Sequence, residues 1–178
     1  MMDKKAVFFC SASYTIDPKY NQAAREAVRA ACLSGYAAVS GGTVKGTMGE
    51  IADEIADCGG YHIGVIPRFM QDLLHPRLSE VVWTETMAER KMKMRQDVDL
   101  AVALPGGIGT MDELIETLVL AKLGFFKGKI VAFGPYGFYE PFRALLDHYV
   151  NTNMMSPLDR DRVIFVETID EFKKILCQ

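Results

Sequence analysis

One stretch limits what this chain can fold into more than any other: Leu104-Pro105-Gly106-Gly107-Ile108-Gly109-Thr110-Met111-Asp112-Glu113. An apolar run ending at Ala103 leads into it, and Leu114 to Leu120 follows it. The expected elements are a strand, a glycine turn and the start of a helix. Gly106, Gly107 and Gly109 let the backbone come close to a ligand with no Cβ in the way. The helix N-terminus beyond them presents unpaired N–H groups and the positive end of a dipole, which suits a phosphate. Thr110 adds a hydroxyl donor. Glu113 falls about one turn from that anion site, where a carboxylate repels the ligand unless it takes part in chemistry. A plain alternative stays open here: Thr110, Asp112 and Glu113 as ordinary cap and first-turn residues. Two familiar phosphate motifs do not fit. A P-loop needs Gly-Lys-Ser/Thr, and no lysine follows the glycines. A dinucleotide fingerprint needs a third glycine where Asp112 stands.

The rest of the chain alternates apolar runs with helical stretches. Ala6 to Cys10, Tyr36 to Ser40, Tyr61 to Ile66, Glu80 to Trp83, Val98 to Ala103, Ile130 to Phe133 and Arg162 to Val166 read as strands. Helices are expected from Pro18 to Ser34, Gly46 to Cys58, Thr86 to Gln96, after Gly109, Tyr139 to Asn151 and Ile169 to Leu176. Asp17 is the N-cap of the first, with Gly35 beyond its end; Thr168 or Asp170 caps the last. Strands that read as uninterrupted apolar runs are buried on both faces. The pattern is one domain over residues 1–178: α/β, a doubly wound, mostly parallel, Rossmann-like sheet with helices on both faces. Ligands are expected at the C-terminal strand ends. A second glycine turn, Gly41-Gly42-Thr43, lies on that edge. It is either a ligand contact or a βα turn tightened for packing. The segment from Arg68 to Arg77 is expected as a long loop.

Composition narrows the function classes. A formal net charge of −3 gives no electrostatic reason to expect nucleic acid or an anionic membrane. No apolar run approaches the roughly 20 residues of a membrane span. Met1 to Lys5 leads straight into a strand, so no signal peptide is read and a cytoplasmic location is expected. Cys10, Cys32, Cys58 and Cys177 lack metal or redox spacing and are expected as free thiols; the three histidines are scattered, so no metal site is expected.

Upstream of the glycine turn lies Met87-Ala88-Glu89-Arg90-Lys91-Met92-Lys93-Met94. Met-x-x-Arg-Lys followed by Pro-Gly-Gly-x-Gly-Thr-x-x-Glu resembles the Lonely Guy family, the cytokinin riboside 5'-monophosphate phosphoribohydrolases once labelled lysine decarboxylases. The resemblance implies hydrolysis of the N-glycosidic bond of adenine-type nucleoside 5'-monophosphates, either AMP or N6-modified cytokinin nucleotides. It implies Arg90 and Glu113 as catalytic residues, no cofactor, and a homodimer with the motif helix near the interface. Gly106, Gly107, Gly109, Thr110, Lys91, Met87, Gly41 and Gly42 are the expected substrate and phosphate contacts. Met87, Met94 and Met111 either line a slot for a planar base or fill the core. Glu113, near a helix N-terminus, is expected to stay ionised and to stabilise a ribosyl cation while orienting water. Two departures stand out: Ala88 replaces the family's usual histidine, and Ser11 or Ala12 replaces the first glycine of the strand-one turn. The same fold also suits a non-catalytic nucleotide-binding or sensor protein. Nothing in the sequence points to pyridoxal phosphate.

Overall fold

The apolar runs become strands because their residues have a packed face on either side of the sheet. In the computed structural model, which describes residues 4–178, strands and helices alternate except between the third and fourth strands and between the fifth and sixth α-helices. They are β1 (Lys4–Phe9), α1 (Pro18–Leu33), β2 (Tyr36–Ser40), α2 (Gly46–Asp57), β3 (His62–Pro67), β4 (Glu80–Thr84) and α3 (Met87–Met94). Then come β5 (Leu100–Ala103), α4 (Ile108–Lys122), β6 (Lys129–Phe133), α5 (Glu140–Asn151), α6 (Pro157–Arg160), β7 (Val163–Val166) and α7 (Ile169–Leu176). The reading of the first residues as lacking a leader concerns Met1–Asp3, which lie outside the described residues.

The strands form one 7-stranded sheet in the order β4-β3-β2-β1-β5-β6-β7. Every neighbouring pair is parallel. The chain winds outward from β1 to β4, then returns to the centre to place β5 against β1, with Ala6 opposite Leu100 and Phe9 opposite Ala103. The order therefore reverses between β1 and β5, where open α/β sheets form their ligand crevice. Alternation along β1 splits the core in two. Ala6 and Phe8 pack with Ala24, Ala27, Ile51, Ile55 and Phe172 of α1, α2 and α7. Val7 and Phe9 pack with Met94, Leu114, Leu118, Phe142 and Leu146 of α3, α4 and α5. Full burial of side chains of this size stabilises by about 1.5–3 kcal/mol each.

Local signals set the ends. The Asp17 side chain accepts from the Lys19 N–H at 3.1 Å and Pro18 opens α1, while Gly35 takes φ +86° just past its end. Thr168 and Glu171 form a reciprocal capping box that starts α7. Thr86 caps α3 by accepting from the Glu89 N–H. Two expectations change. The segment after Pro67 is partly ordered, with a 3-10 helix at Arg68–Leu73 and a bridge from Thr43 to Leu74. The short α6, started by Ser156 and Pro157, was not expected at all; four residues are too few to show a periodicity. Among the described residues no helix is long and apolar enough to cross a membrane.

Candidate active site

At the C-terminal end of β5, Leu104 and Pro105 are buried and the chain then rises into Gly106 and Gly107. The Tyr139 hydroxyl donates to the Leu104 carbonyl at 2.8 Å and pins this corner. Gly107 is the N-cap of α4 and has no side chain to cap it, so the first N–H groups of the helix face outward without a partner from it. A Cβ at Gly106 would lie 2.1 Å from Thr110 Oγ1, so this glycine lets the turn fold over Thr110. Gly107 and Gly109 differ: a Cβ at either would meet nothing within 4 Å, and neither has a positive φ. Neither packing nor backbone conformation requires glycine there. What the missing side chains leave clear is approach from solvent to the helix N-terminus. The Thr110 hydroxyl is buried and has no hydrogen-bond partner among the described residues. Such a group costs about 1–3 kcal/mol until an acceptor reaches it.

Arg90 comes in from α3. Its residue is only 6% exposed, and its Nε donates to the Val65 carbonyl at 3.0 Å. The guanidinium lies over the β2–α2 turn so closely that a Cβ on Gly41 would be 1.8 Å from Nη2. Glu113, half-buried on α4, is the charge that acts most on Arg90. Burial pushes the Glu113 carboxyl up to about 7, and Arg90 opposes that rise. Burial thus works against the ionised form that a place near the helix N-terminus favours. Desolvation outweighs the helix dipole, because the side chain lies back against the sheet rather than in water. The Cys10 thiol, fully buried at the end of β1, completes the triangle; burial first and Glu113 second push its pKa up, so it is a neutral thiol.

The other expected contacts fall unevenly. Lys91, expected at the phosphate, is bound instead to Asp112 at 2.9 Å and Glu116 at 2.8 Å, across the α3–α4 interface. Gly41 and Gly42 are both buried. Gly41 makes room for Arg90, and Gly42, at φ +69°, lies against the Gly64 backbone, with a Cβ there 2.9 Å from Gly64 Cα. Protein atoms account for both. Met94 is a core residue, and Met111 packs partly against the same core. Met87 is 44% exposed on α3. The three methionines therefore do not form one slot.

A different slot is present. A cavity of about 330 Å³ opens between the β1–α1 loop and the glycine turn, lined by Ser11, Ser13, Ile16, Tyr20, Gly106, Gly107 and Phe138, among others. Tyr20 and Phe138 meet edge to face at 5.3 Å. No periodicity or motif signals it, because its walls come from segments more than 80 residues apart. It sits at the β1/β5 reversal, and it shares Gly106 and Gly107 with the anion turn.

Comparison with known proteins gives the family and the fold. A sequence model of the family described as "Possible lysine decarboxylase" matches residues 48–176. The chain belongs to the Lonely Guy family. It is 32% identical over 171 residues to the cytokinin riboside 5'-monophosphate phosphoribohydrolase of Mycobacterium tuberculosis, covering 95% of this chain and 91% of that one. It is also 32% identical over 170 residues to the enzyme of the same name from Rhodococcoides fascians, covering 94% and 86%. Among solved structures, the molybdenum cofactor binding protein of Rippkaea orientalis superposes with a TM-score of 0.73 at 16% identity, over 98% of this chain and 96% of that one. That likeness is one of fold. The family motifs map onto α3, the end of β5 and the start of α4, the elements that bring Arg90 and Glu113 together.

Proposed function

We propose that this protein hydrolyses the N-glycosidic bond of adenine-type nucleoside 5'-monophosphates, releasing the free base and ribose 5-phosphate. The observation that carries the reading is the buried Arg90, whose charge and that of Glu113 act on each other, beside an uncapped helix N-terminus. The 5'-phosphate is assigned to the N–H groups at the start of α4 with Thr110, and the base to the slot walled by Tyr20 and Phe138. Binding energy at the phosphate then holds the glycosidic carbon near Glu113. As the C1'–N bond breaks, its electron pair leaves with the base and the ribosyl ring gains oxocarbenium character. The Glu113 carboxylate stabilises that cation and orients a water, whose oxygen bonds to C1' and whose proton ends on the base. Arg90 holds the carboxylate in its ionised form and fixes its place. The names of the relatives support the reaction class; plain AMP against an N6-prenylated nucleotide is a question of how the slot is filled.

Incubation of AMP with the purified protein, followed by chromatography, tests the reading. Adenine and ribose 5-phosphate are expected from the wild type. Glu113→Gln is expected to lower turnover about a thousandfold or more while AMP still binds, since an electrostatic stabiliser of this kind supplies several kcal/mol. Near-normal turnover by Glu113→Gln sinks the assigned chemistry. Tight AMP binding with no release, for AMP and for isopentenyl-adenosine monophosphate alike, makes the protein a nucleotide binder instead.

A homodimer belongs to the same reading. Ile108, Ile115 and Val119 on α4 and Met87 and Met92 on α3 are exposed apolar side chains around the site, more than isolated surface residues require. Light scattering at micromolar concentration is expected to give twice the chain mass, and a monomer there removes the proposal.

A further inference from the structure

The catalytic pair is carried by two helices that share no backbone hydrogen bond. α3 is only 8 residues long, and Arg90 reaches from it to Val65 and Gly41. Glu113 stands on α4. What joins the helices is a set of ion pairs flanking that pair. Lys91, next to Arg90, bonds through Nζ to Asp112 Oδ2 at 2.9 Å and Glu116 Oε2 at 2.8 Å. Arg95 on the next turn, only 8% exposed, places Nη2 2.9 Å from Glu116 Oε1 and Nη1 3.3 Å from Glu116 Oε2. Asp112 and Glu116 in turn flank Glu113. Two donors on successive turns of one helix thus meet two acceptors on successive turns of the other. Neighbouring residues on a helix are about 100° apart, so turning either helix by one residue breaks both contacts. The Arg95–Glu116 fork adds planar, directional geometry that a lone ammonium lacks.

We propose that Arg95 and Glu116, with Lys91 bridging Asp112 and Glu116, are positioning residues that lock α3 to α4 and thereby hold Arg90 against Glu113. The proposal rests on the hydrolase reading for its kinetic consequence and on the geometry for its structural one. Burial acts against the Glu116 carboxylate, but the hydrogen bonds from Lys91 and Arg95 hold it below its ordinary range, so it stays charged through neutral pH. Lys91 is held above its ordinary range by Glu116 first and Asp112 second. Neither partner titrates near neutrality, so the lock stays closed while Glu113 changes state. The charged groups acting on Glu113 are Arg90 and Lys91 from α3, Arg95 at its C-cap and Asp112 from α4; the neutral thiol of Cys10, just past β1, is in turn acted on by Glu113.

Glu116→Gln separates positioning from plain electrostatics. Removing an anion and releasing two cations would, by Coulomb attraction alone, make Glu113 titrate at lower pH. Loss of position moves Arg90 away and makes it titrate at higher pH. The expected result is an upward shift of the Glu113 titration, read by carbon-13 NMR of the carboxyl, with the acid limb of kcat/KM moving the same way. Turnover is expected to fall about tenfold to a hundredfold, with KM changed little. The charge-swapped pair Arg95→Glu with Glu116→Arg is expected to recover much of it. If Glu116→Gln proves unstable, Asp112→Asn opens the other half of the lock, and there too electrostatics alone lowers the Glu113 titration while loss of position raises it. An unchanged or downward-shifted Glu113 titration overturns the proposal, as does turnover within twofold of wild type. A wild type that releases no base defeats the hydrolase reading, and the NMR titration still decides the positioning.

Discussion

Two glycine turns sit on the C-terminal edge of the sheet, one after β2 and one after β5 with β1 between them, and they read alike as strings of letters. Their glycines do opposite work. After β2 the space is taken by protein: Arg90 lies where a Cβ of Gly41 would be, Gly64 crowds Gly42, and Gly46, at φ +51°, lies against the backbone of Ala12 and Ser13. After β5, Gly107 and Gly109 face open space at the head of α4, above a buried hydroxyl without a partner. One turn shapes the protein around a buried guanidinium. The other leaves a helix end accessible. A glycine required by packing and a glycine required by approach differ only in what stands opposite, and that is a tertiary fact.

Substitutions test the contrast directly. Gly41→Ala is the harshest, because the new methyl group must displace a buried guanidinium. It is expected to cost about 1–3 kcal/mol of stability, read by denaturant unfolding. Catalysis is expected to fall about a hundredfold or more through the misplaced Arg90. If Gly41→Ala is as stable and as active as the wild type, the first half of the contrast is wrong.

The pH profile probes the centre the two turns share. In the proposed reaction Glu113 acts as a carboxylate, and its carboxyl is pushed up to about 7 by burial. Below that pH it is increasingly protonated, so kcat/KM is expected to fall about tenfold per unit on the acid side and to level off above it. An acid limb near 4.5, the ordinary carboxyl range, would mean that Glu113 is solvated or is not the group in question.

Gly109→Ala is the mildest change and the sharpest on the second turn. It adds a methyl group to a helix position with open space around it, where alanine stabilises by about 0.4–1 kcal/mol. Folding is expected to be unharmed or improved, while KM for a nucleotide rises about tenfold as the methyl group obstructs the phosphate. Unchanged KM would show that the ligand does not approach that helix end.

Much of the fold was legible in the residues themselves. The strand runs, the Asp17-Pro18 start, Gly35 past the end of α1 and the Thr168 cap are local signals. Local steric and hydrogen-bonding rules decide such features within a few residues. The alternation of elements then limited the sheet to a parallel, doubly wound one. The motif pair pointed to Arg90 and Glu113, and the fold buries Arg90 where its charge acts on Glu113, although α3 follows the edge strand β4 and α4 the central strand β5. The burial that raises the Glu113 carboxyl was not legible in the sequence, since a helix dipole is a local quantity and desolvation is not. Lys91 was assigned to a ligand when its partners, Asp112 and Glu116, lie on another helix. The residues alone thus determined the elements, their order and the chemistry-bearing pair. Only the tertiary structure decided which glycines are filled, which cations are already neutralised by protein, and where Tyr20 and Phe138 meet. Each of those depends on the distance between segments far apart in the chain, and in a buried site that distance sets both the steric room and the cost of a charge.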